Sequence, residues 1–336
     1  MNRVILLGLF IISLSLFTYQ VALTRLYSAI LSYHYVFLTT SFAILGVGIG
    51  SILAYRDRAR LRNRIGTDPG KVMRYFNKGA FLLSCGLITV FLLIYVQPFV
   101  DSLFIYILLG IIPFVISGYL YAMLFKAWPA ISGKLYFADL IGAGAGSVLT
   151  VSLLDSLGMF QTLIVICILP AAVALLLPTA HKKLRIAEWA LPAILILCLF
   201  LPTQTVNRIE TNFYALLNNT GKTYGEMARG GLEPEIIFSR WDSFARTDLI
   251  RLEAVSEVKF LTIDGAANAP MYVFDGDADN LDHFKGNNGF IPFVTGENTR
   301  SLIIGAGGGR GVLYALAAGS THIAAVEINA ASVEAV

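Results

Sequence analysis

Seven apolar stretches fill the first 201 of the 336 residues, at about 4–24, 35–54, 79–97, 103–125, 136–157, 160–178 and 187–201. Most reach the ~20 residues that cross a hydrocarbon core. Lipid offers no water to a backbone amide, so such runs have to be helices. The sequence therefore predicts a membrane bundle of six or seven helices over 1–201, with the lipid bilayer as its first partner. Composition agrees: 56% of the residues are hydrophobic, 14% are charged, and the mean hydropathy is +0.70. Soluble domains carry roughly 25% charged residues. The apolar start, from Val4 onward, lacks a small-residue cleavage site and reads as a retained first span.

Charge divides the chain in two. Residues 1–201 hold 15 Lys and Arg against 6 Asp and Glu, while 202–336 hold 10 against 16. An acidic second part argues against a nucleic-acid partner. Residues 56–78 contain Arg56, Arg58, Arg60, Arg62, Arg64, Lys71, Arg74 and Lys78, which places that loop on the cytoplasmic side. Lys126 and Lys134, then Lys182, Lys183 and Arg185, fall on the same side if every earlier stretch crosses. The expectation is six crossings of a bacterial inner membrane with 202–336 in the cytoplasm. Stretch 187–201, the shortest and broken by Pro192, is then interfacial or re-entrant.

Within the spans, Gly46-Val-Gly48-Ile-Gly50 and Gly142-Ala-Gly144-Ala-Gly146 contain GxxxG spacings that let helices approach closely. Asp139 is costly to place in an apolar span and needs a partner, for which Arg25 is the candidate; a structural ion pair and a substrate or proton path both remain open. His34, between Tyr33 and Tyr35, reads as an interface anchor. Cys85, Cys167 and Cys198 sit in apolar runs without metal-site spacing, and no metal is expected.

After Pro202 the apolar runs shorten to strand length at 235–239, 247–252 and 258–263, the last meeting the hairpin signal Asp264-Gly265. Residues 202–295 thus read as a linker and a small antiparallel β unit. Trp241 and Arg246, near a strand start, either shape a substrate cleft or cover the sheet. The acidic run Asp275-Gly-Asp277-Ala-Asp279-Asn280 reads as a solvated turn, since a calcium loop would need Gly at the position of Asn280 and Glu at that of Gly286.

The most informative segment is 302–329, LIIGAGGGRGVLYALAAGSTHIAAVEIN: strand, glycine loop, helix, second strand, acid. Gly305, Gly307 and Gly309 suit a backbone that turns sharply against a ligand, and the next helix offers its N-terminal amides. Glu327, 22 residues beyond Gly305, stands where a carboxylate can bind ribose hydroxyls. Residues 296–336 therefore read as the start of a Rossmann-like nucleoside-cofactor domain. Spacing alone leaves dinucleotide and S-adenosylmethionine chemistry both open.

The run Gly305-Ala306-Gly307-Gly308-Gly309-Arg310 followed by Val326-Glu327-Ile328-Asn329 resembles motif I of membrane-bound spermidine synthase-like proteins. Ser239–Arg246, Phe260–Gly265, Ile291-Pro292-Phe293, Leu23–Leu26 and Tyr136–Ala143 resemble them too. The resemblance implies a multi-span anchor, a β unit and a catalytic Rossmann-like domain that uses S-adenosylmethionine or decarboxylated S-adenosylmethionine. Gly305, Ala306, Gly307, Gly309, Glu327 and Asn329 would hold that co-substrate. Trp241, Arg246 and Asp264 would border the acceptor, a small molecule such as a polyamine. The chain departs from soluble spermidine synthases in lacking an aspartate in the glycine loop, a Gln after Asp264-Gly265 and a Tyr-His-Glu run at 284–291.

The expected architecture is thus a multi-span α-helical bundle, a small β unit and the first part of an α/β Rossmann-like domain. Residues 330–336 read as a helix without a stop signal, so the sequence reads as a fragment whose sheet continues. The expected activity is aminopropyl or methyl transfer, in polyamine biosynthesis if aminopropyl, with the catalytic base unidentified and a homo-oligomer open. The rival class is a transporter or membrane scaffold with a nucleoside-sensing soluble part. A dinucleotide-dependent oxidoreductase is the third reading.

Overall fold

The computed structural model describes residues 2–31, 36–57, 68–96, 103–179, 182–210, 221–295 and 299–336. Tyr33, His34 and Tyr35 lie outside these residues, as does 58–67 of the basic loop. The chain divides into two compact units, Met1–Leu216 and Leu217–Val336.

Five helices of the first unit are long and apolar enough to cross a membrane. They are α1 (Asn2–Ile30), α2 (Leu38–Arg56), α3 (Pro69–Val96), α4 (Leu103–Ala127) and α5 (Ser132–Leu176). Ile5, Leu9, Ile12, Tyr19, Phe76 and Leu83 are fully buried between them, whereas Ile44, Ile52, Phe104, Phe137 and Val148 are each at least 65% exposed. An outward apolar face of that kind suits lipid as the solvent.

Contacts along the helices give their directions. Gly8 lies against Phe76 and the Tyr19 ring against Phe91, so α1 and α3 run parallel. The Tyr19 hydroxyl donates to the Gly110 carbonyl (2.9 Å) and that of Tyr27 to Tyr106, so α4 opposes α1. Gly46 meets Ile111 and Phe114 while Gly50 meets Val115 and Tyr119, which makes α2 and α4 parallel. These helices alternate in direction, as short connections require.

Helix α5 is two helices in one. Gly142 approaches the Phe10 carbonyl and Gly146 that of Leu14, so its first half runs with α1. In the second half Ser15 donates to the Ile166 carbonyl at 2.9 Å and Gly8 faces Val173, so the order is reversed. Between the halves Gly158 has φ 75° and ψ −175°, a conformation essentially confined to glycine. The chain turns back there, and the separate runs 136–157 and 160–178 become antiparallel neighbours. Ser84 and Asn77 of α3 bind the carbonyls of Cys167 and Ala174 in the returning half.

The GxxxG glycines pack as their spacing implies. Gly46, Gly50, Gly142 and Gly146 each touch a neighbouring helix, while the middle residues Gly48 and Gly144 face open space. The short stretch 187–201 belongs to α6 (Lys182–Leu199), which contains Pro192 and packs on α5. Four charged residues keep α6 outside the five spanning candidates. Its Glu188 is fully buried, with Arg185 at 3.4 Å. A short α7 (Thr203–Glu210) follows.

The second unit opens with α8 (Thr223–Arg229) and an antiparallel sheet in the order β1 (Pro234–Trp241), β2 (Arg246–Leu252), β3 (Val255–Ile263), β4 (Ala267–Tyr272). Three of these strands are legible from apolar runs; β4, Ala-Asn-Ala-Pro-Met-Tyr, lacks one and forms because the hairpin delivers it to the edge of β3. Asp264 and Gly265 both have positive φ, 50° and 66°, as a tight Asp-Gly turn demands.

Beyond β4, in a stretch rich in Gly, Asn and Asp, lie two 3₁₀ segments, Ala278–Gly286 and Asn288–Phe293. They carry Leu281, Phe284 and Phe290 into a core with Leu313 and Tyr314. Each such buried side chain contributes about 2 kcal/mol, and periodicity does not announce them because 3₁₀ turns follow neither the helical nor the strand repeat. Then come β5 (Arg300–Ile304), α9 (Arg310–Ala317), β6 (His322–Val326) and α10 (Ala330–Ala335). β5 and β6 pair in parallel, Arg300 opposite His322 and Ile304 opposite Val326. Ile303 faces α9, whereas Leu302 and Ile304 are 63% and 80% exposed on the other face.

Candidate functional site

The glycine loop joins the C-terminal tip of β5 to α9. Gly305, Gly307 and Gly309 have φ of 75°, 50° and 82°, so all three need the left-handed region open to glycine. The N–H groups of Gly305 and Ala306 both reach the Val326 carbonyl, at 2.8 and 3.3 Å, which holds the loop against the tip of β6. Gly309 caps α9, its carbonyl taking the Val312 and Leu313 amides at 2.9 and 3.2 Å, so that the amides of Arg310 and Gly311 precede the first helical hydrogen bond.

The four central glycines do different work. A Cβ at Gly305 or Gly309 would enter open space. That is the side on which a ligand can lie against bare backbone. A Cβ at Gly308 would instead stand 2.7 Å from the Pro270 carbonyl oxygen, and one at Gly307 3.3 Å from the Ala269 Cβ. Gly308 is thus required here by the close passage of β4.

Glu327 follows β6 directly. One carboxylate oxygen accepts the Gly307 N–H and the other the Asn329 N–H, both at 2.9 Å. The acid therefore ties the glycine loop to the strand tip, and its remaining lone pairs can accept from a ligand hydroxyl. Ile328 beside it is 79% exposed, an apolar surface at the same edge.

Asn329 is fully buried. Its Oδ1 caps α10 through the amides of Ala331 (3.0 Å) and Ser332 (3.3 Å), while its Nδ2 donates to Thr247 Oγ1 at 2.7 Å. Its side chain anchors the α/β segment to β2 and does not face the open side of the loop. Arg240 of β1 and Glu334 of α10 form a second tie.

Trp241, Arg246 and Asp264 come together in the β unit, but as a packed cluster rather than as the wall of an open cleft. Trp241 and Arg246 are 4% and 1% exposed, and the guanidinium lies 5.5 Å from the indole. Arg246 Nε donates to buried Asp248 at 3.0 Å. Asp264 accepts the Arg246 backbone N–H at 2.9 Å. Lys222, absent from the expected site, donates its ammonium to the Asp264 carbonyl at 2.9 Å. Burial pushes the Lys222 pKa down, partly opposed by the Asp264 charge. No motif marked Lys222 or Asp248, because their burial comes from strands that sequence spacing does not juxtapose.

In the helical unit the Arg25–Asp139 pairing is corrected. Asp139 accepts a 2.6 Å hydrogen bond from Ser13 Oγ, which lies 2.9 Å from the Tyr121 hydroxyl, and Tyr121 also bonds to Asp139. Arg25 is twelve residues beyond Ser13 on α1, about 18 Å along the axis. That distance removes it from Asp139. The acidic run at 275–280 closes on itself, Asp275 accepting the Asp277 N–H (2.9 Å) and Asn280 Nδ2 (2.8 Å). The two hydrogen bonds hold the Asp275 pKa below its usual range.

Compared with known protein families, curated proteins and solved structures, the chain gives no match.

Proposed function

We propose that this chain is a membrane-anchored, spermidine synthase-like transferase that takes S-adenosylmethionine or decarboxylated S-adenosylmethionine as co-substrate. The observation that carries the reading is the parallel unit β5–glycine loop–α9–β6, with Glu327 at the β6 tip bonded to the Gly307 amide. A Rossmann-like domain begins in this way, and ligands of such sheets bind beyond the carboxyl ends of the strands.

The residues present fit the group. Open backbone at Gly305 and Gly309 would receive the amino-acid or aminopropyl portion, Glu327 the ribose hydroxyls, and exposed Ile328 the base. When bound, the sulfonium would supply an electrophilic carbon for aminopropyl or methyl transfer to a small acceptor such as a polyamine. The chain's own part is to align that carbon and exclude water. Ala306 and Asn329 set the loop and strand tip through their hydrogen bonds and act as positioning residues.

The excess of Lys and Arg at one end of the helices supports a cytoplasmic second unit, on the side where such co-substrates are found. A transporter or scaffold is the second reading, favoured by the Ser13–Tyr121–Asp139 cluster. Asp139 is only about 10 Å from the start of α5, near one end of the span, whereas transporter sites lie near the midplane.

Calorimetric titration of the detergent-purified protein with S-adenosylmethionine, its decarboxylated form and NAD tests the proposal. Binding of one of the sulfonium compounds is expected, with Glu327→Ala weakening it about tenfold or more through loss of a charge-assisted hydrogen bond pair. Binding of NAD alone would overturn the reading.

A further inference from the structure

The helical unit contains an open cavity of about 520 Å³ between α2, α3, α4 and α6, walled by Leu53, Leu82, Ile116 and Leu184, one from each helix, with Lys78 and Tyr119 also lining it. Leu53 and Leu82 are 42% and 56% exposed, so the groove opens on the outer surface of the bundle. In a membrane that surface meets acyl chains.

The groove lies at the basic end of the helices. Arg56 ends α2, Lys71, Arg74 and Lys78 occupy the first third of α3, and Lys126 closes α4; the directions established above bring these ends together. Asp57 and Asp68 are the acids nearby in sequence, and the Asp57 carboxylate bonds to the Tyr119 hydroxyl. Lys78 is exposed and has no salt-bridge partner among the described residues.

Helix α3 has 28 residues and is about 42 Å long, some 12 Å more than a hydrocarbon core. Lys78 stands nine residues from its start, about 14 Å along. If the surplus projects at the basic end, the ammonium reaches headgroup level while the groove below it lies at acyl depth.

We propose that this groove is a binding site for an anionic glycerophospholipid, its chains against Leu53, Leu82, Ile116 and Leu184 and its phosphate at Lys78. Apolar walls with a cation at the mouth complement such a lipid in both parts. The site is independent of the transferase reading, since it lies wholly within the helical unit.

Native mass spectrometry of the full-length detergent-purified protein, titrated with dioleoyl phosphatidylglycerol or dioleoyl phosphatidylcholine, tests it. A basic side chain at an anionic headgroup is worth about fivefold in affinity, so phosphatidylglycerol should bind about fivefold more tightly than phosphatidylcholine. Lys78→Gln should erase that preference, Leu82→Trp should lower binding of both lipids by filling the groove, and Lys134→Gln, a basic change outside the groove, should alter neither. Equal affinity of the native protein for the two lipids overturns the proposal. So does a Lys134→Gln effect as large as that of Lys78→Gln, or unchanged binding in Leu82→Trp.

Discussion

Lys222 shows how one buried side chain shapes the second unit. Its ammonium is spent on the Asp264 carbonyl at the hairpin turn, and burial lowers its pKa below the ordinary 10.5. The folded protein therefore releases this proton at a lower pH than the unfolded chain does. Between the lowered value and 10.5 the unfolded state binds more protons, so stability rises with pH in that window and levels off above it. Unfolding of the full-length protein in urea, followed by Trp241 fluorescence with Trp128 and Trp189 replaced by Phe, should show this alkaline rise. Lys222→Met should flatten it. The hairpin glycine and its aspartate were legible from sequence; the lysine 42 residues upstream was not, because nothing local to it records what it will meet.

At the scale of elements, the glycine loop is shared between two demands. Positions 305 and 309 keep a backbone surface open, while Gly308 exists for the passage of β4. Gly308→Ala should destabilise the second unit by about 1–3 kcal/mol through overpacking against backbone that cannot step aside. Gly305→Ala would add no clash, and its strain would come from φ alone. Comparing the urea midpoints of the two variants, with no ligand added, checks the distinction: the larger loss is expected in Gly308→Ala. Sequence spacing exposed the loop, the helix and Glu327 because these are near neighbours along the chain. It could not separate packing glycine from site glycine, since both look alike until β4 is placed.

For the whole molecule, Gly158 sets how the longest helix can meet a membrane. An uninterrupted α5 of 45 residues would be about 68 Å long, twice a bilayer core, whereas the reversal gives two antiparallel halves, each close to the length of one crossing. Cysteines introduced at Lys134 and Pro178, on a background lacking Cys85, Cys167 and Cys198, should therefore be labelled from the same side of the membrane, and one at Asp155 from the other. A reporter fused after residue 202 should give the same side as Lys134; the opposite result would make α6 a seventh crossing. The sequence by itself determined that the apolar stretches of the first 201 residues form helices long enough to cross a membrane, since length and apolarity leave the backbone little alternative, and it determined the local order of strand, loop, helix, strand and acid. Only the tertiary structure decided which groups meet: Asp139 with Ser13 and Tyr121 rather than Arg25, Asn329 with Thr247, and the first six apolar stretches as helices that alternate in direction along the chain. Those pairings depend on distances across the fold, and a linear pattern carries only distances along the chain.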